Sequence, residues 1–592
     1  MMPAGKQKAK AEDFTGTWKN ILRYIRRYRY VFVIAVILSA ISSVLALLGP
    51  YFISDMTDLI KEGIEGEMDI DSVRRLGMIL LCVYVASGIV HFVQSFMMAT
   101  VSQRSAQMFR RDITRKFNRI PLDYFDKSSK GDLMSRVTND VDTLGNSMNQ
   151  CIGSVVSAAT TMAGALILML YMNLQLAALA IAVGVIGFGL VKLVAKHTQI
   201  YFKSQQKNLG AMNGLVEEQY SGHTVVTIYA GQSEAMERFD RINGELAKSA
   251  FRSQFLGGIS AHLSGLISNT GYVLVCVTGA ALYMDGAISF GVIVAFMIFV
   301  KMFTGSFSQM SYAVVTMQSV AAAAERVFTF LNYDEMPKEE DSPTAGRAAG
   351  RVEFDRVSFG YVPGKEIIHE FSAVVEPGRK VAIVGPTGAG KTTIINLLMR
   401  FYEVDSGEIR IDGVPITSMS RGQVRGQFGM VLQETWMFEG TLRENIVMNR
   451  EDVSDDRLDE VCAAVGLSHF VAALPNGYDT VMKDDGSMSA GQRQQIAIAR
   501  AMIGDPAMII MDEATSSVDP LTEKLIQEAA DRMMEGRTSF VIAHRLSTIE
   551  DADIIIVVKD GRIVETGTHG SLLSAGGFYR QLFDSQFSVI DD

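Results

Sequence analysis

The chain has 592 residues, 48% of them hydrophobic, a formal net charge of −10, a pI near 5.5 and positive mean hydropathy. It is too long and too apolar for one soluble domain, and its acidic balance argues against a nucleic-acid partner. Cys82, Cys151, Cys276 and Cys462 stand far apart without Cys-x-x-Cys spacing, so they read as small apolar residues and not as a metal site or disulfide framework.

Residues 1–13 are polar and lysine-bearing, so no cleavable signal peptide is expected. Residues 15–30 mix aromatics with Arg23, Arg26, Arg27 and Arg29. They read either as an amphipathic helix at a membrane surface or as the charged flank of a first span. Six runs then meet the length of about 20 apolar residues that a bilayer requires. They cover residues 30–53, 76–101, 151–172, 174–195, 255–284 and 288–318. The first three and the fifth contain no Asp, Glu, Lys or Arg.

Loop charge sets the expected orientation. Residues 1–29 carry eight Lys/Arg against two acids, and residues 102–150 carry nine against six. The connection at 54–75 has seven acids and three bases. The amino terminus and the long connections at 102–150 and 196–254 are therefore expected in the cytoplasm, the latter two extending the membrane helices beyond the lipid. Residues 332–350 are acidic with Pro and Gly and read as a linker. From Arg351 to Asp592 short β-branched strands alternate with helices, an α/β pattern. The expected division is a tail and surface helix at 1–29, a membrane domain at 30–331, the linker, and a nucleotide-binding domain at 351–592.

That last domain carries Gly385-Pro386-Thr387-Gly388-Ala389-Gly390-Lys391-Thr392, followed by Thr393, between a strand-like run and a helix-like run. Such a loop is a Walker A phosphate cradle: glycines let backbone N–H groups close around phosphate oxygens at a helix N-terminus. Lys391 is placed to reach the terminal phosphates and the Thr392 hydroxyl to hold Mg²⁺. A second apolar run, from Ala507, ends in Asp512 and Glu513, the Walker B pattern, 121 residues after Lys391. Asp512 would hold Mg²⁺ through water, and Glu513 would polarise the attacking water.

Between them lies Met488-Ser489-Ala490-Gly491-Gln492-Arg493-Gln494, ahead of a helix-like run at 495–502. This segment resembles the signature motif of the ATP-binding-cassette family, usually written Leu-Ser-Gly-Gly-Gln. The remaining marks fall in that family's order: Tyr361, Gln433, Asp519 and His544. The resemblance implies that Tyr361 stacks on adenine, that Gln433 touches Mg²⁺ and water, and that His544 contacts the γ-phosphate. It implies ATP contacts for Asp519, and for Ser489, Gly491 and Gln492 a place against ATP bound to a partner cassette. One cassette per chain then requires a dimer. With six spans ahead of the cassette, the chain is similar to a half-transporter of the ABC exporter superfamily. The expected fold class is an α-helical six-span transmembrane domain followed by an α/β P-loop nucleotide-binding domain. The segments 125–142 and 221–229 resemble the two cytoplasmic loops of such exporters. No peptidase-like segment precedes the first span, which disfavours a peptide-processing exporter.

The sequence departs from the family pattern at Ala490, where glycine is usual, and at Lys483-Asp484-Asp485-Gly486 before it. An altered signature beside intact Walker motifs resembles one half of a heterodimeric exporter with unequal ATP sites; a homodimer that tolerates alanine is the alternative. Ionisable residues in the spans are candidates for transport. Lys301 either faces a cavity or snorkels, Lys192 reads as an anchor, and His91 and His262 either line a cavity or join helices. The leading expectation is ATP-driven export of a hydrophobic or amphipathic substrate across the cytoplasmic membrane. A lipid translocase and an ATP-gated regulator that does not pump are the other classes.

Overall fold

The computed structural model describes residues 13–66, 68–341, 346–433, 435–450, 452–482, 488–512, 520–543 and 546–587. It forms two compact units, one of residues 1–118 and 129–333, the other of 119–128 and 334–592.

The first unit is helical. Phe14–Tyr24 (α1), N-capped by Asp13, is followed by a 3₁₀ turn, Ile25–Tyr28. The first membrane helix, Arg29–Glu65 (α2), therefore begins beyond that turn. Ile70–Phe117 (α3), Val141–Met172 (α6), Leu174–Ser221 (α7), Gln232–Met284 (α9) and Phe290–Leu331 (α10) complete six long helices. Between them lie the short helices Leu122–Lys127 (α4), Lys130–Ser135 (α5) and His223–Ile228 (α8). The six apolar runs are thus windows inside longer helices. Each of the six is long and apolar enough to cross a membrane.

Packing in this unit follows the rules of lipid rather than water. Small residues bring the backbones together: Ala165, Ala177, Ala180 and Ala295 are fully buried around Phe296 and Phe299. A Cβ at Gly164 would come within 2.3 Å of Leu47 Cδ1, so glycine there lets α6 close on α2. The opposite surfaces stay apolar, with Ile37, Ile41 and Val44 on α2 and Leu81, Val85 and Ile89 on α3 exposed. Such helices are stable only where the solvent is itself apolar. At one end Asp140 accepts two guanidinium hydrogen bonds from Arg326, tying α10 to the turn before α6.

The second unit is α/β. Val352–Phe359 (β1), Ile368–Val375 (β2), Ser406–Ile411 (β4) and Val414–Pro415 (β5) form an antiparallel sheet ordered β2-β1-β4-β5. The larger sheet contains Lys380–Val384 (β3), Phe428–Val431 (β6), Met508–Asp512 (β9), Thr538–Ile542 (β10), Ile554–Lys559 (β11) and Arg562–Gly567 (β12). Its order is β12-β11-β3-β10-β9-β6, with only β12 antiparallel. Gly440–Thr441 (β7) and Val481–Met482 (β8) pair separately. Side chains alternate across the large sheet. On β3, Val381 and Ile383 enter one core with Ile394 and Leu397, whereas Ala382 and Val384 enter another with Leu572 and Tyr579. Covered on both faces, these strands read in sequence as unbroken apolar runs.

Helix Lys391–Leu398 (α11) follows β3. Helices α12 to α15 (Arg421–Gly426, Leu442–Val447, Asp455–Ala464 and Ser468–Ala473) lead to Ala490–Met502 (α16). This helix starts five residues earlier than its apolar pattern does, because Ser489 caps it ahead of the first buried aliphatic. Short helix α4 belongs to the α/β unit although its sequence follows α3: Tyr402 donates a hydrogen bond to Asp126, and Arg119 O accepts from Met336 N at 2.8 Å.

Candidate nucleotide site

The phosphate loop is built by glycines in conformations or close approaches that disfavour a side chain. Gly388 and Gly390 have φ of +84° and +100°, left-handed values that cost other residues energy. A Cβ at Gly390 would meet Ile368 Cδ1 at 2.7 Å, and one at Gly385 would meet Val558 O at 2.1 Å. The turn is pinned from outside by Gly561 N donating to Ala389 O at 3.2 Å.

Inside it lies Lys391, 8% exposed, its Nζ donating to Gly385 O at 2.6 Å and Pro386 O at 3.1 Å. Burial pushes its ammonium pKa down, and the nearby Asp512 carboxylate opposes that shift. A cation with only carbonyl partners in a ring of backbone N–H groups is the donor set that polyphosphate satisfies. Thr392 is exposed beside it, whereas Thr393 is buried beneath, with its hydroxyl taken by Tyr361 at 3.3 Å.

Tyr361 is also held by Asn396 Nδ2, which donates to its hydroxyl at 3.2 Å. Its ring meets Phe359 and Tyr402 edge-on, with centroids 5.0 and 4.9 Å away. The adenine-stacking candidate is thus fastened to α11 and to Tyr402. Burial first, then Asp126, pushes the Tyr402 phenol up, keeping it a proton donor to that carboxylate.

Sheet order brings the Walker motifs together. In one cross-strand row Ile542 of β10 pairs with Ile383 of β3 on one side and Asp512 of β9 on the other. At about 4.8 Å per strand, Asp512 stands roughly 10 Å from the end of the strand that enters the phosphate loop. Val431 of β6 pairs with Met511, so Gln433, exposed two residues on, leaves the same edge. Crevices at the carboxyl ends of parallel strands are the common ligand position in α/β sheets. Among the described residues no group of three His, Cys, Asp or Glu is disposed to hold a metal ion. Mg²⁺ bound through one carboxylate, a hydroxyl, substrate phosphate and water needs no such group, and Asp512 with Thr392 fits it. Glu513, Asp519 and His544 lie outside the described residues, as do 483–487.

The signature segment is a helix start. Ser489 Oγ accepts from Gln492 N at 3.1 Å, and Gln492 Oε1 accepts from Ser489 N at 2.9 Å, a closed capping box. The Gln492 side-chain oxygen therefore serves its own helix. Ala490 is the first helical residue, so its backbone is right-handed and makes no demand for glycine. Gly491 is buried behind it. Among the described residues no hydrogen bond or ion pair joins Ser489, Gly491 or Gln492 to 385–393. Within one chain the two halves of the motif set are not assembled.

Two positions escape a motif-based reading. Arg500 of α16 donates to Asn445 O at 2.8 Å and Trp436 O at 3.2 Å, clamping the segment that follows Gln433, and burial lowers its guanidinium pKa. Its signal was a lone cation in an apolar helical run. Tyr402 carried no such signal, since only the fold places it on Tyr361. In the helical unit His91 lines a polar cavity, and Lys192, Lys301 and His262 are exposed.

Residues 32–307 match the family model described as the ABC transporter transmembrane region, and residues 368–516 match that described as ABC transporter. A fatty acid ABC transporter ATP-binding/permease protein of Mycobacterium tuberculosis is 42% identical over 516 residues, 87% of this chain and 82% of the relative. An uncharacterized ABC transporter ATP-binding protein of Bacillus subtilis is 37% identical over 98% of this chain and 96% of its own length. An ATP-dependent lipid A-core flippase of Vibrio parahaemolyticus is 34% identical over 96% of this chain and 98% of the flippase.

Proposed function

The chain belongs to the ABC transporter family as an exporter-type half-transporter that couples ATP hydrolysis to transport, and from that premise we propose how its parts act. Two half-transporters pair in the cytoplasmic membrane, with the α/β units in the cytoplasm, and export an amphipathic, lipid-like substrate. Excess positive charge at 1–29 and 102–150 supports that orientation. The relatives named for fatty acid and lipid A-core support the substrate class. The observation that carries the reading is the shared sheet edge of Lys391, Asp512 and Gln433, in a chain with six membrane-long helices.

In this mechanism Lys391 leaves its two loop carbonyls to neutralise charge on the phosphates of substrate ATP, while Tyr361 offers a fixed ring to the base. Glu513 takes the proton from the attacking water, and Gln433 and His544 orient that water and the γ-phosphate. Thr392 and Asp512 would hold Mg²⁺, which would supply neutralisation of phosphate charge. Ser489 and the exposed start of α16 complete the site on the partner chain. Arg500 passes movement of the Gln433 segment to α16.

The partner is a second, different half-transporter in the first reading, with Ala490 facing the weaker site. A homodimer is the second reading, favoured by the right-handed backbone at Ala490. Mg²⁺-ATP hydrolysis by this chain alone in lipid, beside Glu513→Gln, tests both. Hydrolysis that disappears in the variant establishes a working homodimer. A folded, ATP-binding chain without turnover, restored by a second half-transporter, establishes the heterodimer. Absence of uphill accumulation in vesicles despite turnover would overturn export.

A further inference from the structure

A cavity of about 440 Å³ lies among α2, α3, α6 and α10 of the helical unit, and its walls are polar. Ser39, Ser42 and Ser43 contribute from α2, and His91, Gln94 and Ser95 from α3. Asn146, Gln150, Ser154 and Ser157 come from α6 and Gln309 from α10. At 1.5 Å per residue, Ser39 and Ser43 lie roughly 14 and 20 Å from Tyr30 along α2, well inside the apolar thickness. Polar groups at that depth are costly unless they serve a bound polar partner or one another.

They satisfy one another only in part. Ser43 Oγ donates to Ser157 Oγ at 3.0 Å, and Ser42 and Ser87 hydroxyls meet at 3.3 Å, which closes the wall between α2 and its neighbours. Gln94 is different. It is 7% exposed, its Oε1 accepts from Ser95 Oγ at 3.4 Å, and its amide nitrogen has no protein hydrogen-bond partner among the described residues. Gly153 leaves room beside it, since a Cβ there would come within 3.3 Å of Nε2. The amide nitrogen thus has two donors open to the cavity that Gln94 lines, and a ligand or ordered water there would complete its hydrogen bonding.

We propose that this cavity binds the uncharged, hydroxyl-bearing headgroup of an amphiphile, an inference that rests on the export reading above. Among the described residues the lining carries no Asp, Glu, Lys or Arg and, beside the His91 imidazole, offers hydroxyls and carboxamides, so a charged head would lose its hydration without a fixed countercharge. Serine hydroxyls and carboxamides each donate and accept, which matches a polyol and not a single-sign ion. At ~30 Å³ per water the volume holds on the order of 15 waters, enough for a glyceryl-sized head with its bridging waters.

The test uses the full chain as a dimer in nanodiscs and three probes with an eighteen-carbon monounsaturated tail (roughly matched in length): monooleoylglycerol, oleate and oleylamine. Monooleoylglycerol is expected to bind at least about ten-fold tighter than the other two. Gln94→Leu is expected to weaken it about ten-fold. Exposed Gln150→Lys, which keeps the wall intact, is expected to move preference toward oleate by about five-fold or more. Equal binding of the three probes, or unchanged monooleoylglycerol binding in both variants, would overturn the proposal and leave the cavity as hydrated helix packing. Phosphate release from the same nanodiscs separates the two readings. Hydrolysis that stays absent even with a second half-transporter added removes the export reading, whereas hydrolysis without headgroup discrimination removes only this one.

Discussion

Two helix starts in the α/β unit face the same chemical task with opposite constructions. Helix α11 begins after a loop of left-handed glycines, with Gly390 at φ +100° as its N-cap and Lys391 buried within the turn. Helix α16 begins with a serine cap, right-handed backbone and a closed side-chain box between Ser489 and Gln492. The first start gathers backbone N–H groups around a cation, and Gly388 and Gly390 hold left-handed backbone that a side chain would strain. The second has satisfied its own cap and offers only a hydroxyl and the remaining N–H groups outward. A start of the first kind wraps a phosphate; one of the second kind can only abut a phosphate held elsewhere. The comparison explains why an alanine is structurally admissible at 490 and would not be at 388 or 390.

Lys391→Ala should have the largest effect, a loss of hydrolysis of about 100-fold or more, since it removes the only charge inside the loop's ring. Phosphate release and nucleotide binding measured on the same protein check this, and turnover within ten-fold of the parent would break the contrast. Gly390→Ala comes next. Its left-handed backbone and the Ile368 contact predict a destabilisation of about 1–3 kcal/mol with weakened ATP binding, read by denaturant unfolding with and without nucleotide. Ser489→Ala removes the cap of α16 and should cost about 1 kcal/mol, with hydrolysis by the dimer falling further than stability accounts for. Ala490→Gly should be smallest, under about 1 kcal/mol and within a few-fold in turnover. A large rise in turnover would instead show that the methyl group itself weakens the partner's site.

Much of this site was legible in advance, for a physical reason. Lys391 and the glycines around it form a contiguous segment whose chemistry is local, and the run Met508–Asp512 shows its burial as unbroken apolar character. Six membrane helices were equally legible, because lipid requires a long apolar stretch whatever the packing. Their continuation beyond the lipid was expected from the long polar connections at 102–150 and 196–254, but their exact ends were not, since polar continuations such as the end of α3 carry no hydropathy signal. The start of α16 was missed by five residues because a capping box is polar and its helix buries nothing until later.

The sequence by itself determined the elements whose cause lies within a few residues: the phosphate loop, the apolar strands and the spans. Tertiary structure alone decided what depends on residues far apart. The sheet order set Asp512 two strands from β3 with β10 between them, and packing laid Tyr402 on Tyr361 and Arg500 on Trp436. It also gathered Ser43, Gln94 and Ser157 from three helices around one cavity. Each of those residues is unremarkable where it stands in the chain, because a hydroxyl or amide acquires a role only from the partners that folding does or does not give it.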